Sequence, residues 1–450
     1  MLKVYNTLTR KKEMFKPLHG KKVNFFVCGP TVYDYGHLGH AKTYVQFDVI
    51  VRYLRYSGYS VFYLMNITDV DDKIIKRANE KKIPWKRISE DYEAYFKEDV
   101  KALGINSVTK YARATDHIKE IESQVERLIK RGCAYKIADG WYFDLSKFPE
   151  YGKLAKRTKQ QDDDAVSRID ENKEKRGAGD FCLWKFSKPG EPVWKSSLGD
   201  GRPGWHIEDT AITEKEFGQQ YDVHGGAVDL IFPHHEAEIT QMESISGKKP
   251  FVKYWLHTAF LNINKEKMSK SLGNFLTIRD VLKNYNGWVI RYAFVSNHYR
   301  TMMNFSPELL EQSKNSLERI YTCFDKLNEK GVDDAGLLKK AKEEFIKAMN
   351  DDFDTPKAMA GVFNFVAEVN KHGGGNKSRE LLLELDNILG LGLGEIKKEK
   401  IPKEITKLAE ERMRARDNKD WKRADELRVE INNKGWIVED IDAGYRLKKP

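Results

Sequence analysis

The sequence predicts an α/β protein, with a parallel sheet that carries an insertion, then an α-helical bundle and a small α+β C-terminal piece. Three observations lead to this prediction. A strand, a helix and a second strand follow one another near the N-terminus, short strands and a charged stretch interrupt that pattern after residue 110, and helical spacing of apolar residues dominates after residue 305. The chain of 450 residues is long enough for several domains.

The strand–helix–strand segment lies within residues 22–65. An apolar run ends at Gly29-Pro30, helical spacing extends from Val45 to Leu54, and the residues from Ser60 have the pattern of a second strand. Such a unit carries parallel strands, and ligands bind at their C-terminal ends. Strand-like sequence returns near residue 220. We therefore predict a Rossmann-type catalytic domain and a connective insertion, with the boundaries 1–110 and 223–305 for the domain and 111–222 for the insertion.

The last third of the chain is predicted to be mostly helical. Ser306-Pro307 combines an N-cap residue with proline at the first helical position, and apolar residues between Leu310 and Leu327 keep to one face. A joint rich in glycine and lysine then precedes two more helices and two short strands. The predicted domains are a helical domain at 306–402 and a C-terminal piece at 403–450.

Charge and composition narrow the class of protein. The net charge of +10 indicates a polyanionic partner or a solvated basic surface. Residues 306–450 hold 28 bases and 29 acids, so the surplus lies before them. No apolar stretch approaches the roughly 18 residues of a membrane span, and the polar start does not resemble a signal peptide, so we expect a cytoplasmic protein without membrane contact. The four dispersed cysteines argue against a disulfide framework.

The loop after the first strand contains His37-Leu38-Gly39-His40 and lacks the Gly-x-Gly-x-x-Gly pattern of dinucleotide-binding loops. Two imidazoles at the start of a helix lie on one face, where they and the helix N-terminus can meet a triphosphate. Gly39 would let a nucleotide base approach the backbone. Alone, this motif is equally compatible with a structural role.

A second motif, Lys267-Met268-Ser269-Lys270-Ser271, favours the catalytic interpretation. It predicts a loop whose lysines, Lys267 and Lys270, close on phosphates as charge develops in nucleotidyl transfer. In this order, on either side of the resumed sheet, the two motifs resemble the signature pair of the class I aminoacyl-tRNA synthetases. ATP, with Mg²⁺, is then the expected substrate.

Between the two motifs lies a glycine-rich stretch that contains Gly225 and Asp229. Glycine there would let a purine lie close to the chain, and Asp229 could accept from ribose hydroxyls, although a glycine turn between core elements is the alternative. His234 and Glu238 follow, four positions apart. On a helix they would share a face, as a metal pair or as a surface hydrogen bond.

Longer segments resemble the cysteinyl-tRNA synthetase family over nearly the whole chain. They are Phe26 to Asp34, Asn66 to Ile75, Arg202 to Glu208, Phe232 to Glu236, Met349 to Pro356 and Asp420 to Asp425. The resemblance implies L-cysteine and tRNA(Cys) as further substrates and a Zn²⁺ ion that binds the substrate thiolate. It implies Cys28, His234 and Glu238 as zinc ligands. A thiophilic metal would separate cysteine from serine without hydrolytic editing.

The chain departs from this family at Asp209, where the family carries a second ligand cysteine. Aspartate can bind zinc through oxygen, which predicts a Cys28, Asp209, His234, Glu238 site with a harder set of ligands. Two alternatives remain open. Asp209 faces away and leaves three protein ligands, or Cys182 replaces it.

The resemblance also implies roles for further residues. His37 and His40 would stabilise the pentavalent phosphate, Lys267 and Lys270 would hold pyrophosphate, Thr68 and Trp205 would line the amino-acid pocket with Cys28, and Arg428 and Asp440 would contact tRNA bases. We expect a monomer. Two alternative functions remain open. They are a ligase that joins cysteine to an amino-sugar and a non-catalytic RNA-binding relative. The resemblance assigns the helical domain at 306–402 to anticodon binding and the piece at 403–450 to tRNA recognition. An amino-sugar ligase needs no such module, so these residues argue against the first alternative, and the intact motifs argue against the second.

Overall fold

The computed structural model describes residues 1–156, 172–268, 275–395, 402–441 and 444–448. It divides into two compact units, Met1–Gly394 and Glu395–Pro450. Among the helices of the described residues, none has the length and apolar character needed to cross a bilayer.

The central sheet confirms the predicted α/β class. In the described chain it has five strands, all paired in parallel. Their spatial order is Val252–Thr258, Tyr221–Ala227, Lys22–Val27, Ser60–Ile67 and Lys110–Arg113. The helix Leu38–Tyr56 connects two neighbouring strands, and both are buried because helices cover the sheet.

Two of these strands cross the boundaries expected from the sequence. Lys110–Arg113 pairs with Ser60–Ile67, so the boundary at residue 110 falls inside the sheet. Tyr221–Ala227 begins before residue 223. The strand Lys110–Arg113 has four residues, which are too few to show alternation. The strand-like pattern near residue 220 does mark the start of Tyr221–Ala227, and the expected boundary at residue 223 lies two residues inside that strand.

Between these strands the chain builds a second, antiparallel sheet. Its strands are Ala134–Ile137, Gly140–Phe143, Phe181–Phe186 and Gly201–Pro203. The helices Ile118–Lys130 and Trp205–Phe217 flank it. Their apolar side chains share one core with the sheet, including Leu128, Leu183 and Ile212.

Short strands and helices surround the central sheet. An N-terminal hairpin pairs Lys3–Asn6 with Lys11–Met14 and was not expected from the sequence, because its strands are too short and polar to show alternation. The remaining elements of this part of the unit are the helices Asp72–Lys81, Trp85–Ala102, Glu236–Ser246, Ile278–Leu282 and Gly287–Val295 and the strands Leu261–Ile263, Glu266–Lys267 and Met303–Phe305.

Four helices follow, in the region expected to be helical. They are Pro307–Lys326, Ala335–Met349, Thr355–His372 and Asn376–Leu389. Ser306 caps the first of them through its side chain, as the sequence indicates. The four helices share a continuous apolar core with the central sheet, and Tyr53 of the sheet region contacts Phe353. This shared core explains why they belong to the same compact unit.

The second unit contains the helices Lys403–Asp417 and Trp421–Asn433 and a hairpin of Ile437–Ile441 with Gly444–Lys448. Ile405, Ile431, Trp436 and Val438 form its small core.

Candidate active site

A cavity of about 460 Å³ opens at the carboxyl ends of the central strands. Cys28 and Thr68 follow two of these strands directly, and Asp229 follows a third. Because parallel strands end at the same edge of the sheet, residues far apart in sequence meet there. The cavity is also lined by His37, Gly39, His40, Trp205, Asp209 and His234.

The start of the helix Leu38–Tyr56 forms one wall. His37 is its N-cap, and its Nδ1 accepts from the backbone N–H of His40 at 3.3 Å. The two imidazoles stack with centroids 3.6 Å apart. A Cβ on Gly39 would lie 2.9 Å from the His37 ring, so this glycine makes room for the stacked histidine.

His40 faces the cavity with an unused polar atom. Its Nδ1 is buried and has no hydrogen-bond partner in the described chain. Burial, then the charges of His37 and Lys73, hold the pKa of His40 well below its usual value. His40 is therefore neutral near pH 7, and its Nδ1 can donate or accept a hydrogen bond with a ligand, according to the tautomer.

The four expected metal ligands come together. Ligand atoms of Cys28, Asp209, His234 and Glu238 all lie within 4.8 Å of one another, and all four residues are buried. His234 Nε2 is 3.0 Å from Asp209 Oδ2 and 3.2 Å from Glu238 Oε1. Asp209 therefore faces the group.

The donor set fits a divalent cation. Both carboxylate oxygens of Glu238 are buried without a hydrogen-bond partner in the described residues, which is costly unless a cation binds them. Burial, then Asp209 and Glu238, raises the pKa of the Cys28 thiol well above its usual value. Within the described chain, the basic groups in contact with the Asp209 and Glu238 carboxylates are the imidazoles of His224 and His234, and no lysine or arginine pairs with them. A metal ion would supply the missing positive charge.

Cys182, the alternative ligand, does not reach this group. It lies in the strand Phe181–Phe186 and packs with Tyr135 and Tyr142. It belongs to neither of the candidate metal groups found among the described residues.

Buried histidines that the sequence did not single out surround the group. Cys28 Sγ lies 3.3 Å from His224 Nε2 and 3.2 Å from His235 Nε2. With Cys28 and Glu238 they form a second, overlapping set of metal-ligating atoms. His206 Nδ1 lies 2.7 Å from His234 Nδ1, which leaves Nε2 of His234 for the carboxylates. The only signal in the sequence was the density of histidine after residue 205.

The residues of the expected amino-acid pocket border the metal group. The indole of Trp205 stacks on His234 with centroids 4.4 Å apart, and both line the cavity. The Thr68 hydroxyl donates to the carboxylate of Glu208. This wall therefore offers an aromatic face and polar groups beside the metal ligands.

Gly225 and Asp229, the two residues expected to contact the nucleotide from the glycine-rich stretch, have different surroundings. Asp229 lines the cavity. Gly225 does not line it in the described structure, and a Cβ there would lie 2.5 Å from the ring of Phe47. The absence of a side chain at Gly225 thus serves the packing of the helix against the sheet.

The lysine motif is only partly described. Lys267 ends the strand Glu266–Lys267, and Lys270 lies outside the described residues. Just beyond, the backbone meets the start of the first long helix, because Leu38 N–H donates to Leu276 O at 3.2 Å and Ile278 N–H to Gly36 O at 2.9 Å.

In the C-terminal unit, Arg428 is exposed. The carboxylate of Asp440 accepts from Arg412 at 2.6 Å and from Arg416 at 2.7 Å. These ion pairs, rather than a free carboxylate, occupy the position that we expected to contact RNA bases.

Three family models match the chain. The model for the tRNA synthetases class I (C) catalytic domain matches residues 14–315, the DALR domain matches residues 344–394, and the cysteinyl-tRNA ligase anticodon binding domain matches residues 398–445. Among solved structures, the methionyl-tRNA synthetase of Mycobacterium tuberculosis with methionyl-adenylate aligns with a TM-score of 0.59 and 17% identity over 82% of this chain and 90% of that chain. The likeness shows the same fold. Fold and catalytic model together define a class I aminoacyl-tRNA synthetase.

Curated relatives narrow the class. A cysteine–tRNA ligase of Thermodesulfovibrio yellowstonii is 44% identical, covering 98% of each chain, and one of Shewanella sediminis is 46% identical, covering 100% of each. One of Thermoplasma volcanium is 46% identical over 97% of each. This chain belongs to the cysteine–tRNA ligase family.

Proposed function

We propose that the chain joins L-cysteine to tRNA(Cys) with ATP, through a cysteinyl-adenylate. One observation carries the proposal. The start of the helix Leu38–Tyr56, with His37 and His40, and the candidate metal ligands, which include one cysteine, open into the same cavity. A cysteine substrate held beside these ligands would therefore direct its carboxylate toward the two histidines. The family membership supports this reaction. Action in the cytoplasm and as a monomer is part of the same proposal.

The metal group would hold Zn²⁺ through Cys28, Asp209, His234 and Glu238. Zinc, when bound, supplies a thiophilic Lewis acid that favours the sulfur of cysteine over the oxygen of serine. Replacing the family's second cysteine with Asp209 leaves the ligand charge unchanged, because a carboxylate and a thiolate each carry one negative charge. The site therefore keeps its charge and gains a harder ligand.

In the first step the cysteine carboxylate attacks the α-phosphorus of ATP, which enters with Mg²⁺, and pyrophosphate leaves. His37 and His40 offer hydrogen bonds to the phosphate oxygens, and the helix N-terminus adds its partial positive charge. Lys267 and Lys270 would neutralise the leaving pyrophosphate. Trp205 would close the pocket over the amino acid, and Asp229 would accept from the ribose hydroxyls.

In the second step a terminal ribose hydroxyl of tRNA attacks the activated carbonyl, and AMP leaves. The basic surplus of residues 1–305 suits the acceptor arm, and the residues after 395 would recognise the anticodon. Arg428 remains exposed for such a contact, whereas Asp440 would have to release two arginines.

The test is incubation of the protein with ATP, labelled cysteine and total tRNA. We expect label in acid-precipitable RNA, none with labelled serine, and a loss of roughly 100-fold or more in cysteine-dependent pyrophosphate exchange for His40→Ala. Cysteinyl-AMP without labelled RNA would contradict the tRNA assignment and favour a ligase with another acceptor. Full exchange activity in His40→Ala would contradict the role of the helix start.

A further inference from the structure

Asn66 connects the chain segments that carry two of the metal-group residues. It is the second-to-last residue of the strand Ser60–Ile67, and its side chain is buried. Its Oδ1 accepts from the backbone N–H of Gly29 at 2.5 Å, next to Cys28. Its Nδ2 donates to Asp209 Oδ1, also at 2.5 Å. One amide therefore contacts both the segment that follows Cys28 and the carboxylate of Asp209.

The chemistry of these partners fixes which way the amide points. A backbone N–H can only donate, so it requires the oxygen of Asn66. An ionised carboxylate can only accept, so it requires the nitrogen. The reversed amide would set two donors against each other on one side and two acceptors on the other. Asn66 is thus held as a donor to Asp209.

This hydrogen bond gives the two carboxylate oxygens of Asp209 different partners. Oδ1 is occupied by the amide, while Oδ2 lies 3.0 Å from His234 Nε2, on the side of the metal group. We infer that Asn66 is a positioning residue that holds Asp209 so that Oδ2 alone binds the metal ion. This inference rests on the proposed metal centre.

A carboxylate needs such a partner more than a thiolate does. It has two oxygens that can exchange places by rotation or bind a cation together, whereas a thiolate has one donor atom. A charge-assisted hydrogen bond to one oxygen restricts this freedom. Polar partners of metal ligands typically contribute 10- to 100-fold to metal affinity. The contact between Asn66 and residue 209 is therefore expected to matter most in a chain with aspartate there.

The experiment compares two substitutions at Asn66 in two backgrounds. Asn66→Ala removes these two hydrogen bonds and a longer one to Thr68 Oγ1 at 3.4 Å, and Asn66→Asp keeps an acceptor for Gly29 while replacing the donor to Asp209 with a second carboxylate oxygen. Each is made in the natural chain and in Asp209→Cys. Zinc affinity is measured by competition with a chromophoric chelator. The visible spectrum of the Co²⁺-loaded protein reports the coordination number, since four-coordinate Co²⁺ absorbs more strongly than five-coordinate Co²⁺.

With Asp209 present, we expect both substitutions to weaken zinc binding by roughly 10- to 100-fold, and Asn66→Ala to weaken the Co²⁺ absorption. In the Asp209→Cys background, Asn66→Ala is expected to change the affinity by less than roughly 3-fold. An equal loss in both backgrounds would mean that Asn66 only supports the fold near Gly29, and would overturn the inference. So would unchanged affinity in the natural background. A natural chain that binds no zinc would instead overturn the proposed metal centre.

Discussion

At the scale of single residues, Lys42 is a buried base that lines the cavity at the carboxyl ends of the central strands. Its ammonium donates to Ala259 O at 2.8 Å and to Gln46 Oε1 at 3.2 Å, and burial lowers its pKa from 10.5 to about 7. Between these two values the unfolded chain carries a proton that the folded chain has lost. The free energy of unfolding must then rise with pH across that range.

We expect the free energy of unfolding of the natural chain to rise by about 1 kcal/mol between pH 8 and pH 9, relative to Lys42→Met. The hydrogen bonds that methionine cannot make add an offset that does not vary in this range. Urea unfolding at the two pH values measures the difference. Lys42→Arg, which stays charged throughout, is the matched control and should also lack the rise. Parallel pH dependence in the natural chain and Lys42→Met would refute the shift.

The residues of the site differ in how far the sequence could reveal them. Cys28, His234 and Glu238 lie in motifs that resemble the family, and Asp209 stands out because it departs from the expected cysteine. Asn66 begins the segment Asn66 to Ile75, and the sequence assigns it no role. Its contact with Asp209 joins residues 143 positions apart, and such a contact depends on strand order, which periodicity does not give.

At the scale of elements, the short helix Ile278–Leu282 follows the lysine motif in sequence, and its start contacts the start of the helix Leu38–Tyr56. The hydroxyl of its N-cap Thr277 accepts from the Asp280 N–H at 3.1 Å, and the Asp280 carboxylate accepts from the Thr277 backbone N–H at 3.3 Å, which forms a capping box. The backbone of Thr277 also pairs with that of His37. The cap therefore fixes the chain beyond the lysine motif, where it contacts the start of the helix Leu38–Tyr56.

Removing this cap should affect both stability and ATP use. Thr277→Ala is expected to lower the free energy of unfolding by about 1 kcal/mol, because an N–H at the helix start loses its acceptor. It should also raise KM for ATP in pyrophosphate exchange. Thr277→Ser keeps the hydroxyl and should restore both values. If Thr277→Ser and Thr277→Ala gave the same KM for ATP, the cap would have no part in positioning the start of the helix Leu38–Tyr56.

The elements themselves were predicted unevenly. The first strand–helix–strand unit and the helix after Ser306 carry strong periodicity and capping signals, and the structure contains both. The strand Lys110–Arg113 was missed as part of the sheet because four residues cannot establish a period. Parallel neighbours far away in sequence, rather than local pattern, define such an edge strand.

At the scale of the whole molecule, the chain separates into Met1–Gly394 and Glu395–Pro450. The first unit contains the cavity and the metal group, and the second matches the anticodon binding model. Adenylate formation and tRNA selection should therefore respond differently to loss of the second unit.

A chain ending at Gly394 should retain cysteine-dependent pyrophosphate exchange close to that of the full chain. Its kcat/KM for tRNA(Cys) should fall by roughly 100-fold, which corresponds to about 2.7 kcal/mol of lost interaction. Steady-state exchange and charging assays on the two proteins measure these effects. Undiminished charging of tRNA(Cys) would show that residues 395–450 do not contribute to recognition.

The aspartate at position 209 would also affect how the proposed metal centre responds to oxidants. A centre with two ligand thiols can be oxidised to a disulfide between its own ligands, which removes two donors in one step. Within the described ligand group Cys28 is the only thiol, and Cys182 packs against tyrosines elsewhere. Oxidation of the proposed centre would therefore proceed through a single protein sulfur atom, and Asp209 would keep its oxygen donor throughout.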